Sequence, residues 1–305
     1  MVLKQFFNLF IALILFGCSV DHEEKINYEA EFYSIVSEFE ESSILDFKRK
    51  DIDINKFVEQ FITKLDKQKN IFLQEDFNRF KKSSSSQSEL NYSILKDVVD
   101  LYYVRYEESL KTRSKYLNTF VFNFNKSEAI NLKPRDTFFL DISEKQDYQR
   151  RIIKNELINL LLEDKNNMEA KNELKKIYKS RLSSISKIRE SDKFGVLANN
   201  FLSMLDPHAS YFSERDLENW NLRMNLSFEG IGAILSYEEE KAEIQELMPG
   251  GPAIQSQKIK VGDKIIKVGQ GQRGKLKNVI GWRLDDIVEL IRGDEGTTVR
   301  LEIEN

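Results

Sequence analysis

The stretch FEGIGAILS, Phe228 to Ser236, has residue types and spacing suited to anion or carboxylate recognition. Two glycines flank one isoleucine, an acidic residue stands before them, and an apolar run follows. Glycine leaves backbone amides open to close approach, so the pattern fits a phosphate loop, a tight hairpin or a carboxylate-binding loop. A phosphate loop needs a helix N-terminus after the glycines or a Gly-Lys-Ser/Thr, and neither follows Gly232. His208, in LDPHASYFS, has the type of a base or a ligand. Its only fellow is His22, the single cysteine is Cys18, and nothing has metal-ligand spacing. A hydrogen-bonded structural role is therefore expected for His208, and neither a metal nor another cofactor is implied.

The elements that must position this loop follow from periodicity. GAILS, a turn at YEEEK and AEIQELM read as an antiparallel strand pair. Pro249-Gly250-Gly251-Pro252 forces a turn, and PAIQSQ reads as a short helix with proline at its first position. VGDKIIKVG is a strand bounded by Gly262 and Gly269. In WRLDDIVELIRG, Leu284, Ile287, Val288 and Ile291 recur at i, i+3, i+4 and i+7, which predicts a helix stopped at Gly293. TTVRLEIEN alternates Val299, Leu301 and Ile303 as a last half-buried strand.

Glycine also divides the chain. Of 13 glycines, only Gly17 and Gly195 precede residue 230, so a Lys/Glu/Asn-rich, helix-friendly part gives way to a turn-rich one. The expected boundaries are 26–205 for a helical domain, 206–227 for a connector and 228–305 for the second domain. Phe32, Ile35, Val36 and Phe39 share one helical face, and Phe57, Phe61, Ile62 and Leu65 another, with Asp53 placed to cap that helix. Ile71, Phe72, Phe77 and Phe80 join them; aromatics at this spacing read as core. KKSSSSQSE, Lys81 to Glu89, reads as a polar loop. Hydrophobic residues make up 41% of 305, enough to pack about two domains. The 46 basic and 50 acidic residues leave a net charge of −4, without the basic excess that phosphate neutralisation needs. Nucleic acid is not expected as a partner.

Residues 1–18 read as a targeting segment. Lys4 precedes the apolar run FFNLFIALILF, too short for a bilayer-spanning helix, which needs ~20 residues. LFGC, Leu15 to Cys18, resembles the lipobox of a bacterial lipoprotein signal, although Phe16 is bulkier than that pattern prefers. An ordinary secretory signal is the alternative. The resemblance implies acylation of Cys18 and anchoring to a membrane on the periplasmic side of a bacterial cell envelope.

GxGA, GPA and GDKIIKV followed by a terminal helix and strand resemble a PDZ domain of the permuted bacterial type, a small partly open β-barrel with two helices. LDPHASYFS, SFEGIGAIL, GGPA, VGDKIIKVGQG and VIGWRLDDIVELIRG together resemble the tail-specific, C-terminal processing serine peptidases. KNIFLQEDFNRF and RRIIKNELINLL resemble the helical N-terminal domain of the same family, so the likeness covers almost all of the chain after the signal. It implies a multidomain α plus α+β fold, mostly α-helical first and then PDZ. It also implies that C-terminal peptides of protein substrates bind as an added strand. The tail carboxylate would be held by the amides of Ile231, Gly232 and Ala233, with Gly230 supplying the turn. Ile231 and Ala233 would line the pocket for the last side chain, faced by Val288 and Ile291. Arg292 would contact the peptide and couple tail binding to activation, or would only offset the helix dipole.

The family's nucleophile and base, a serine and a lysine, belong to a domain that follows the PDZ module. No serine here has the family's small and acidic neighbours, and no Phe-Gly-Lys-Gly segment occurs. Gly262-Asp263-Lys264 and Gly274-Lys275 fit PDZ strand and loop positions instead. No catalytic residue is assigned, and these residues are expected to bind tails without cutting them. Two readings follow. One is the recognition part of a tail-specific peptidase whose catalytic domain is missing from the chain. The other is a non-catalytic PDZ lipoprotein that acts as an adaptor for partner C-termini.

Overall fold

The structure is a computed structural model that describes residues 26–42, 47–131, 133–163, 165–213, 216–217, 220, 230–238, 240–293 and 296–305. Cys18 with its lipobox, and Phe228 and Glu229 of FEGIGAILS, lie outside the described residues.

The first part is helical: α1 (Tyr28–Ser42), α2 (Ile54–Leu65), α3 (Gln74–Ser84), α4 (Tyr92–Thr119), α5 (Ile142–Leu161), α6 (Asn167–Ser186) and α7 (Glu190–Leu205). Asp53 caps α2 as its sequence predicts, its carboxylate accepting the Lys56 N–H at 3.1 Å. At 28 residues, α4 is about 42 Å long and serves two cores. Its first half packs Leu95 and Val98 against Phe32 of α1, Phe61 of α2 and Phe201 of α7. Its second half packs Leu110 and Leu117 against Ile153 and Leu157 of α5 and Tyr178 of α6. Phe61 and Phe201 are wholly inaccessible, and burying each contributes roughly 2–3 kcal/mol. A buried polar knot holds the α2–α3 turn. The Asp66 carboxylate, 3% exposed, accepts the N–H groups of Asn70, Ile71 and Phe72 at 3.0, 2.9 and 3.1 Å. Beside it, Asp76 takes two hydrogen bonds from Arg105, and Lys145 Nζ donates to the carbonyls of Ile71 and Arg105.

The polar stretch from Lys81 differs from expectation, because α3 continues through Ser84. Ser84 is 1% exposed, and its hydroxyl and that of Ser85 both donate to Asn55 Oδ1, at 2.7 and 2.9 Å. The serines are docked on α2 by these bonds, which composition does not reveal.

The second part is an antiparallel open sheet with two helices: β1 (Ala233–Glu238), β2 (Lys241–Leu247), α8 (Pro252–Gln255), β3 (Lys264–Gln270), β4 (Lys277–Asn278), α9 (Leu284–Ile291) and β5 (Val299–Glu304). Strand order is β1-β2-β3-β4, with β5 also on β3. The two-residue β4 was not expected, since two residues are too few to show a period. Ala242 and Ile244 of β2 and Ile265 and Val268 of β3 form the core with Ile287 and Ile291 of α9. Along β5, Val299, Leu301 and Ile303 pack against that core at the expected alternate positions. A helical domain followed by this sheet is the α plus α+β architecture that the motifs imply.

Candidate peptide-binding site

The glycine loop enters β1 at the edge of the sheet. Gly230 and Gly232 have φ of +139° and +70°, values that favour glycine. Two backbone bonds pin the loop: Ala253 N–H of α8 donates to Ile231 O at 2.8 Å, and Met248 N–H to Gly232 O at 2.9 Å. Among the described residues, no acceptor is bonded to the amides of Ile231 and Gly232. The Met248–Gly232 bond makes Ala233–Leu247 a non-hydrogen-bonded pair of the ladder. The N–H and C=O of Ala233 therefore point away from β2, toward the open edge. An incoming strand would find its partners there, and its terminal carboxylate would find the loop amides.

The glycines serve the site differently from what the sequence alone suggests. A Cβ at Gly232 would lie 2.8 Å from Gly251 Cα, so the absent side chain admits the α8 turn. The space it leaves is filled by protein backbone. Gly251 belongs to the site for the same reason. GGP in the sequence signals a turn but not its neighbour.

Helix α9 forms the facing wall. A Cβ at Gly230 would lie 3.9 Å from Arg292 Cγ, so the C-terminal end of α9 meets the glycine loop. That end carries the negative pole of the helix, which disfavours a carboxylate, and Arg292 supplies the opposing charge. Val288 is half-buried and does not pack on the core, leaving it available to a groove. Ile291, 5% exposed, and Ile231, 9% exposed, both belong to the core, so each could meet a tail side chain only from the floor of the groove. Leu284 is half-buried on the same helical face as Val288. On β1, Ala233 and Leu235 pack inward while Ile234 is 48% exposed. His208 is exposed in the turn after α7, its backbone N–H held by Asp206 at 2.8 Å.

An edge strand with a glycine loop at its start and a helix across from it defines a PDZ-type fold, here behind a helical domain. Comparison with known proteins agrees in both parts. A family model for the tail specific protease N-terminal domain matches residues 35–215, and a PDZ domain model matches residues 220–304. The chain belongs to the tail-specific protease family. It is 36% identical over 258 residues to the tail-specific protease of Haemophilus influenzae, covering 82% of this chain and 36% of that protein. It is 34% identical over 134 residues to the carboxy-terminal processing protease CtpA of Bacillus subtilis, covering 43% of this chain and 27% of that one. The chain thus spans about a third of the length of these relatives. A crystal structure of the PDZ domain of the carboxy-terminal protease from Vibrio cholerae in complex with peptide is 45% identical. That match covers 25% of this chain and 76% of the other, with a TM-score of 0.24.

Proposed function

We propose that these residues form the N-terminal and substrate-recognition part of a tail-specific serine endopeptidase, binding the C-terminal tails of protein substrates for proteolysis. The observation that carries this reading is that, among the described residues, the amides of Ile231 and Gly232 bond no acceptor, where the loop enters the edge strand β1. A tail would add a strand to β1, place its carboxylate at those amides and at Ala233, and rest its last side chain against Ile231, Ala233 and Val288. Arg292 would offset the pole of α9 and favour the bound carboxylate. Hydrolysis belongs to a serine–lysine pair, for which no segment of these residues has the matching neighbours, so the chain by itself binds and does not cut. In the same proposal Cys18 is acylated and holds the protein on the periplasmic side of a bacterial membrane.

The test compares peptides with apolar tails that differ only in a free or amidated C-terminus. Binding to the purified chain is expected to weaken by about tenfold or more on amidation, because a charge-assisted bond to the loop amides is lost. Equal affinity for the two forms overturns the assignment.

A further inference from the structure

The two walls of the proposed groove are both held by the helical domain, at the end away from the glycine loop. Gly230 and Arg292 mark the carboxylate end. Tyr237, late in β1, and Arg283, immediately before α9, mark the other. The connector between α6 and α7 reaches both. Lys187 Nζ donates to the Tyr237 hydroxyl at 2.5 Å, and Lys187 O accepts from Arg283 at 3.0 Å. The Arg283 guanidinium also forks onto both carboxylate oxygens of Asp192, on the first turn of α7. Arg189 adds an ion pair to Asp286 of α9.

This grip is not a loose surface contact. The side chains of Arg283 and Asp192 are only 18% and 24% exposed, and a bidentate guanidinium–carboxylate pair fixes orientation as well as distance. The connector is anchored in turn: Lys193 of α7 bonds Asp100 of α4 and Glu190, both at 2.8 Å, and Lys96 of α4 also bonds Asp100. A bonded path therefore runs from α4 through α7 to one wall, and through Lys187 to the other.

We infer that the α6–α7 connector is part of the tail-binding device, with Lys187, Asp192 and Arg283 acting as positioning residues for the upstream residues of a bound tail. The inference rests on the tail-binding reading of the loop. Walls held at a set separation lose less freedom when a strand enters between them, so the grip favours binding. Its effect depends on tail length. From Ala233 to Tyr237 the strand advances about 13 Å, at ~3.3 Å per residue. A tail of about three residues stops short of the gripped end, whereas one of about eight passes it.

The experiment measures affinities of free-carboxylate peptides of these two lengths for the full 305-residue chain and for Lys187→Met, Tyr237→Phe and Asp192→Asn variants. Circular dichroism reports folding of each. The longer peptide is expected to bind about five- to tenfold more weakly to the variants, with the shorter peptide changed by less than about twofold. Tyr237→Phe removes one hydroxyl and keeps the ring, so it carries the test even where Asp192→Asn fails to fold. Unchanged affinity for both lengths overturns the inference, as does an equal loss for both. An amidated long peptide separates the two levels. Wild-type chain that prefers the free tail, with variants that lose nothing or lose equally on both lengths, leaves the binding reading standing and removes the grip alone. Wild-type chain indifferent to amidation removes both.

Discussion

Gly232 and Gly251 meet backbone to backbone: a Cβ on Gly232 would lie 2.8 Å from Gly251 Cα, and one on Gly251 would lie 3.0 Å from Gly232 Cα. The loop that enters β1 and the turn that starts α8 are thereby locked together. That lock, with the bonds to Ile231 O and Gly232 O, holds the loop in place, and among the described residues its Ile231 and Gly232 amides bond no acceptor.

Gly232→Ala combines a positive φ of +70° with that backbone clash, so a loss of about 2–4 kcal/mol in stability is expected. Tail binding should fall with it, since the loop must shift. Gly250→Ala is the control. Its φ is +81°, but nothing lies within 4 Å of the added Cβ, so only the conformational cost of about 1–2 kcal/mol applies. Denaturant melts and peptide titration of the two variants check the contrast. Equal effects on affinity would show that the glycine contact does not shape the site.

Val288 and Ile291 lie one helical turn apart on α9 but should respond differently. Ile291→Ser empties a core position that is 5% exposed and is expected to cost about 3–4 kcal/mol of stability. Val288→Ser touches a half-buried side chain off the core. It should change the melting midpoint little while weakening binding of an apolar tail by about three- to tenfold. A Val288 variant with wild-type affinity would place the last tail side chain elsewhere.

Lys145 gives the helical domain a pH dependence of its own. Burial, and then the nearby Arg105 charge, lower its pKa from 10.5 to about 8, against the opposing pull of Glu108, Asp76 and Asp66. Between about 8 and 10.5 the unfolded chain holds the proton that the folded chain has released. Stability contributed by this group therefore rises with pH across that window, by at most ~1.4 kcal/mol per pH unit. It is lost again as pH falls through the folded value. Denaturant unfolding of wild type and Lys145→Met across the window should show the wild type gaining relative to the variant. Parallel curves would mean that Lys145 stays charged when folded.

Cys18 is expected to decide where the protein resides. In a bacterial host, Cys18→Ser should move the chain from the membrane fraction to the soluble fraction, because acyl chains contribute ~0.8 kcal/mol per buried methylene. Unchanged fractionation, or a mature N-terminus other than residue 18, would reject the lipobox.

The helices of residues 26–205 were readable because a buried helical face must repeat apolar residues every three or four positions; Phe57, Phe61 and Ile62 are buried on the predicted face of α2. β1, β2, β3 and β5 were readable through alternation and their glycine and proline punctuation. The loop residues Gly230 to Ala233 and the helix opposite were likewise named from pattern and resemblance. Local sequence thus determined which segments become helix or strand, and which loop has amides to offer, since these depend on neighbours within a few positions. Only the tertiary structure decided that Ser84 and Ser85 dock on Asn55, that Ile291 is core while Val288 is not, and that Gly232 makes room for Gly251. It alone brought Lys187 and Asp192 to Tyr237 and Arg283, about 50 and 91 residues away along the chain. Contacts across such separations depend on how completed elements pack, and no local period in the sequence encodes them.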